Sequence, residues 1–252
     1  MKFKELSEII LLGTGGGRIV VFQGIRSSGG MLILYKGEVL HIDPGPGALS
    51  GLLKNKVYPS KINAVWVTHK DLDHTGELNI IVEGMTEGGF KKKGALFLPE
   101  EVLKENVLLP YLREYVEEIK IIKELNNYEI YGLKIKTSPK HNHRGTECYG
   151  FIIENFSFGF LVDTKPDEDI LRFYRGLDTL LVNCVLLEPK EDVYHISLKD
   201  IPFVYEVTRP KKFILTHFGM RLLKFGFKNI SEFLNKNSIP YILAYDNMRI
   251  KF

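Results

Sequence analysis

Four potential metal ligands fall within six residues, at His69, Asp71, Asp73 and His74, in the run Thr68-His69-Lys70-Asp71-Leu72-Asp73-His74. Imidazole and carboxylate together suit zinc, manganese or iron better than calcium, which prefers an all-oxygen shell. Four ligands this close exceed what one metal needs and suit two metals sharing a neighbourhood. Two such ions acidify a shared water, orient it and stabilise a leaving oxygen, which is the chemistry of hydrolysis. The chain has seven histidines, the other five being His41, His141, His143, His195 and His217. All but His41 of these five stand where a strand is expected to end or a turn to begin, and Asp163 follows the apolar run FGFLV. A single His or Asp at such a place is more often a hydrogen-bonding or capping residue. The cluster behind the apolar run AVWVT has no comparable structural explanation.

Ligands of this kind need rigid elements to aim them. The first third reads as short strands divided by glycine-rich turns: Ile9-Leu12, Met31-Leu34, Val39-Ile42 and Ala64-Thr68, the last delivering the His69 cluster. The spacing predicts a helix at Leu78-Met85 and helical structure over 100–124, broken at Pro110. Strands are expected at Tyr128-Thr137, Tyr149-Ile153, Phe156-Val162 and Leu180-Leu187. Helix at Leu198-Thr208, strand at Phe213-Thr216, helix at Asn229-Asn235 and a final strand at Tyr241-Ala244 complete the pattern. No linker rich in Pro, Gly or Ser divides the chain, so one layered α/β domain over 1–252 is expected.

The ordered series LLGTGGG, HIDPGPG, THKDLDHTG, the segment with His141 and His143, FLVDT and ILTHFG resembles the metallo-β-lactamase superfamily. Within it the chain is most similar to the ribonuclease Z-like branch, which shares the LGTGGG opening and the LTHF ending. The resemblance implies an α/β fold, a four-layer αββα sandwich with metals at one edge of two facing sheets. It places His69, Asp71 and one of His141 or His143 on a first metal, and Asp73, His74 and His217 on a second. Asp163 would bridge both. His143 is preferred over His141 because the family's third ligand lies about seven residues before a Gly-aromatic pair, here Gly150-Phe151. Asp43 resembles the family's strand-end Asp, which orients ligands without binding metal. Asp71 departs from the family, which usually has His there. A carboxylate hardens that site, so two divalent ions are implied with zinc first and manganese or iron also credible.

The implied activity is metal-dependent hydrolysis of a phosphodiester or other ester bond. Asp73 would help orient or deprotonate the water, and His195 would protonate the leaving oxygen, as an imidazole can near neutral pH. Against a catalytic His195 stands its place beside an expected helix cap at Ser197, with Asp200 three residues on. A di-iron redox or gas-binding module is the alternative from another class, and such proteins usually work with a flavin-binding partner domain. A tRNA 3′-end endonuclease is a narrower alternative. Bacterial-type members with that role carry a long arm between the bridging Asp and the last His, and the 54 positions from Asp163 to His217 show no glycine-rich or basic arm.

A formal charge of +3, from 34 basic and 31 acidic residues, excludes the basic excess of a dedicated nucleic-acid binder. Lys91-Lys92-Lys93 reads more often as a solvated loop than as a phosphate contact. Arg18 and Arg221 flank presumed site loops and suit a substrate phosphate or carboxylate as well as they suit solvent. The glycines of LGTGGG lack a following GK[ST], so tight backbone packing is expected there and not a phosphate loop. The expected partner is a small-molecule or nucleotide-type ester; a homodimer is compatible, and a nucleic acid is not favoured. Two cysteines, Cys148 and Cys184, carry no paired spacing and suit a reduced compartment. The apolar run Ile9-Leu12 is too short for a signal peptide or a membrane span, so a cytoplasmic setting is expected. Abundant Lys and Glu beside a single glutamine, Gln23, lean towards a thermophilic source.

Overall fold

The computed structural model describes residues 7–252, which form two compact units. The first comprises residues 7–14, 26–122 and 245–252, and the second residues 15–25 and 123–244.

The first unit is built on a seven-stranded sheet of order β14-β1-β2-β3-β4-β5-β6. Its strands are β1 (Ser7–Leu11), β2 (Met31–Tyr35), β3 (Glu38–Ile42), β4 (Ala64–Trp66), β5 (Ala95–Leu98), β6 (Glu118–Ile121) and β14 (Met248–Lys251). β14, β1, β2 and β3 pair antiparallel, and β3 to β6 pair parallel. Alternate residues Ile10, Leu32, Leu34, Val65, Leu96 and Leu98 enter one core cluster with helices Ala48–Lys54, Leu78–Met85 and Glu100–Lys104. Leu78, Ile81, Val82 and Met85 meet that cluster because a 3.6-residue period puts them on one helix face. The other set, Ile9, Ile33, Trp66 and Phe97, is buried too. That is why these strands read as continuous apolar runs.

The second unit has a seven-stranded sheet of order β13-β12-β11-β10-β9-β8-β7. Its strands are β7 (Asn127–Ile130), β8 (Leu133–Thr137), β9 (Phe151–Ile153), β10 (Phe158–Leu161), β11 (Thr179–Asn183), β12 (Lys212–Thr216) and β13 (Ile242–Leu243). β7 to β10 pair antiparallel and β10 to β13 parallel, repeating the switch seen in the first sheet. Leu161, Leu180, Val182, Phe213 and Leu215 pack with helices Glu168–Phe173, Ile201–Thr208, Met220–Phe225 and Phe227–Lys236.

Several expectations need correction. The 100–124 stretch is helical only at Glu100–Lys104 and, as a 3₁₀ turn, at Pro110–Glu114; it then becomes β6. As an edge strand β6 keeps charged residues, and its Glu-Ile-Lys-Ile alternation has the two-residue period of a strand. Tyr128-Thr137 is a hairpin and not one strand, because Tyr131 (φ 49°) and Gly132 (φ 84°) make a two-residue turn. Leu180-Leu187 ends as strand at Asn183. The tail carries one more strand, β14, where Met248 and Ile250 are buried between exposed Arg249 and Lys251. No helix among the described residues is long and apolar enough to cross a membrane.

Candidate metal centre

In the first unit the ligand run leaves the C-terminal end of β4 and turns into the short helix Leu72–Thr75. Thr75 Oγ1 donates to the carbonyls of Lys70 and Asp71 (3.0 Å each), closing that turn. Lys70 Nζ reaches Glu101 (3.3 Å) and Glu105 and so ties the loop to helix Glu100–Lys104. Asp43, one residue beyond β3, stands at φ 51°, a left-handed conformation that Asp tolerates better than most residues. Its Oδ1 accepts from Thr68 N (2.7 Å), and its Oδ2 accepts from Thr68 Oγ1 (2.7 Å) and sits 2.9 Å from His74 Nδ1.

The proton assignment follows from these contacts. Thr68 spends its only hydroxyl hydrogen on Asp43, so His69 Nδ1, 3.0 Å from Thr68 Oγ1, is the donor of that pair. His74 Nδ1 likewise donates to the carboxylate. One buried Asp thus sets both tautomers, and Nε2 of each ring keeps its lone pair for a cation. Those Nε2 atoms lie 4.0 Å from Asp71 Oδ2 (His69) and 4.0 Å from Asp73 Oδ2 (His74). Both spacings are too long for hydrogen bonds and leave room for a cation between the atoms. The two rings stand 4.1 Å apart, with His69 fully buried and His74 nearly so. The donor set therefore fits a divalent metal of the transition type.

In the second unit the ligand candidates come from two strand ends and two loops. Asp163 follows β10 and accepts from Asn183 Nδ2 (2.9 Å), the last residue of β11. His217 follows β12 at φ 61°, with Nε2 3.6 Å from Asp163 Oδ1. His195 Nδ1 is 3.5 Å from Asp163 Oδ2. Burial alone pushes the Asp163 carboxyl up, but the adjoining His217 and His195 outweigh it and hold it well below the usual carboxylate range. His143 and Asp163 offer ligand atoms within 4.8 Å of one another. His143 is fully buried, and its Nδ1 donates to the Tyr194 carbonyl (3.0 Å).

His141 differs. Its Nδ1 lies 3.3 Å from the Asp163 carbonyl and its Nε2 3.2 Å from Tyr174 Oη, so both nitrogens are engaged. Burial lowers its pKa to about 4 and keeps it neutral. Gly150 permits this arrangement, since a Cβ there would stand 2.1 Å from Tyr174 Oη.

Sequence reasoning gave no role to Thr68, Asn183 or Tyr174. Thr68 was legible as the residue before His69 and Asn183 as a strand end, whereas Tyr174 lies 33 positions from its partner and carries no local signal. The glycine segment packs as expected: a Cβ on Gly13 would meet the Ser27 carbonyl at 2.3 Å, and one on Gly16 the His217 carbonyl at 2.3 Å. Arg18 and Arg221 are exposed. So are Lys91 and Lys92, while Lys93 donates to the Ser60 carbonyl (2.6 Å).

The family model of the beta-lactamase superfamily domain matches residues 39–218, which span β3 to the end of β12 and carry every ligand candidate above. The chain belongs to the metallo-β-lactamase superfamily. Its relatives place it in the ribonuclease Z-like branch. An uncharacterised protein of Methanocaldococcus jannaschii is 29% identical over 229 residues, covering 85% of this chain and 84% of that one. Ribonuclease Z of the same organism is 24% identical over 288 residues, covering 89% and 90%. Among solved structures, the metallo-β-lactamase fold protein YhfI from Bacillus subtilis superposes with a TM-score of 0.81 at 17% identity, covering 97% of this chain and 98% of that one. The chain therefore has the metallo-β-lactamase fold, and as a member of this superfamily it is a metal-dependent hydrolase.

Proposed function

We propose that this chain, as a single domain over 1–252, carries a dinuclear centre that hydrolyses a phosphodiester or comparable ester of small-molecule or nucleotide type. His69, Asp71 and His143 would hold one ion, Asp73, His74 and His217 the other, with Asp163 shared. The observation that carries this reading is Asp43. One buried carboxylate fixes His74 directly and His69 through Thr68, each with Nε2 kept as an acceptor, and a purely structural pair has no use for that. When bound, the paired cations acidify a shared water and stabilise charge on the attacked group. Asp73 orients that water and takes up its proton. His195, beside Asp163, gives a proton to the leaving oxygen. We take His141 as a positioning residue.

Zinc is the metal we favour, with manganese or iron admitted by Asp71, and the cytoplasm of a thermophile is the setting we favour. The ribonuclease Z relatives support phosphoryl chemistry, and the lack of a basic excess keeps long RNA a secondary substrate. The test combines metal analysis with turnover. Metal-replete protein should carry two ions per chain and hydrolyse bis-p-nitrophenyl phosphate. His195→Ala should keep both ions and lose about 10²–10⁴-fold in kcat, the usual worth of a general acid. Less than one ion per chain under varied supplementation would remove the dinuclear reading, and unchanged turnover would remove His195 from it. Visible absorption from bound iron, without ester hydrolysis, would transfer the reading to the redox alternative.

A further inference from the structure

His195 also walls a cavity of about 290 Å³ in the second unit that the reaction above leaves unused. Lys165, Pro166, Lys190, Glu191 and Asp200 line it with His195. Its position is fixed relative to the ligands of that unit. Lys165 is two residues beyond Asp163, and Tyr194, beside His195, accepts from His143 through its carbonyl (3.0 Å).

The charges are arranged unevenly. Lys165 is held in place: its Nζ stands 4.4 Å over the Tyr194 ring and donates to the Glu191 carbonyl. Neither contact neutralises the ammonium. Lys190, on the facing loop, is exposed. Two carboxylates share the lining, and neither forms an ion pair with Lys165 or Lys190. Asp200 Oδ2 already accepts from Ser197 N (2.8 Å) and Ser197 Oγ (2.7 Å), and Glu191 is exposed to screening solvent. A cavity with two ammonium groups, one of them preorganised, suits a compact oxyanion.

We propose that this cavity receives the leaving-group half of the substrate and selects a leaving alcohol that bears its own oxyanion, a phosphate or a carboxylate. The assignment rests on the reading of His195 as the acid of the leaving oxygen, which brings the leaving group beside the cavity that His195 walls. Lys165 and Lys190 bind the remote anion and so set specificity without entering the bond-breaking step.

The test compares thymidylyl-thymidine with its two terminally phosphorylated forms, 5′ and 3′, and with analogues carrying a carboxymethyl group at those ends. One phosphorylated isomer should show a KM about tenfold lower with kcat little changed, the size expected of a partly screened charge-assisted contact. A gain from phosphate alone names phosphate as the anion, and an equal gain from carboxymethyl widens it to carboxylates. The double variant Lys165→Met/Lys190→Met should bring all forms to a common KM. Equal KM values for every form in the parent protein would overturn the proposal. A binding readout stands apart from turnover: by calorimetry, glycerol 3-phosphate should bind the double variant about tenfold more weakly than the parent, while glycerol should not distinguish them. Identical affinities for glycerol 3-phosphate would also overturn it. Failure to hydrolyse any ester would remove the hydrolase reading, while the calorimetric difference would still report on the cavity.

Discussion

His141 and His143 are two positions apart, yet their rings meet different surroundings. His143 donates Nδ1 to the Tyr194 carbonyl and offers a ligand atom within 4.8 Å of one on Asp163, whereas His141 is hydrogen-bonded at both nitrogens, to the Asp163 carbonyl and to Tyr174. The resemblance favoured His143 by its spacing to Gly150-Phe151, and the proposed roles keep that preference. His143→Ala should therefore cost one of two bound ions and nearly all turnover. His141→Gln should keep both ions by elemental analysis and reduce kcat several-fold through a displaced Asp163. Loss of an ion from the His141 variant, with the His143 variant fully loaded, would exchange their roles. The same logic was legible at Asp43, which the resemblance already marked as an orienting residue. Its route to His69 through Thr68 was not, because it depends on one hydroxyl hydrogen having a single place to go.

At the scale of elements the two sheets repeat one plan. In each, antiparallel pairing gives way to parallel pairing at a strand followed by an acidic residue: β3 before Asp43 and β10 before Asp163. In each, the next strand end supplies that carboxylate with a donor, Thr68 beyond β4 and Asn183 closing β11. Ligand candidates gather at these ends because parallel strands deliver their C-termini to one sheet edge. The loops that cross there run tightly against them. A Cβ on Gly45 would stand 1.9 Å from the Asp73 carbonyl, and one on Gly16 2.3 Å from that of His217. Backbone cannot yield as a side-chain tip does, so Gly45→Ala and Gly16→Ala should each lower stability by about 1–3 kcal/mol in urea unfolding, with metal affinity falling alongside. A neutral result at either position would mean that the loop shifts freely. The strand-end placement of His69, Asp163 and His217 was visible in the apolar runs before them. β6 and β14 were not visible, since a half-exposed edge strand writes a weaker pattern than a buried one.

Acid stability belongs to the whole molecule. His41 is fully buried, and burial lowers its pKa from 6.5 to about 4 against the smaller opposing pull of the Gly29 carbonyl and Asp43. The folded state holds it neutral, while the unfolded chain protonates it at its ordinary value. Its contribution is therefore complete above pH 6.5 and is lost as pH falls towards 4, by about 3 kcal/mol. His41→Gln should flatten the fall in unfolding free energy between pH 7 and 4.5, and comparing variant with parent at each pH cancels the effect of metal release. A parallel fall in both proteins would show that His41 does not carry it. The sequence by itself determined the superfamily, the strand-end placement of the ligand candidates, the Asp71 departure and the tight glycine loop. These are local facts: ligand types, spacing along one strand end, and backbone freedom. Only the tertiary structure decided which nitrogen of His69 and of His74 stays an acceptor, that Tyr174 occupies His141, and that Lys165 and Lys190 share a cavity with His195. Those depend on contacts between residues tens of positions apart, and nothing in local periodicity encodes which distant partner a side chain will meet.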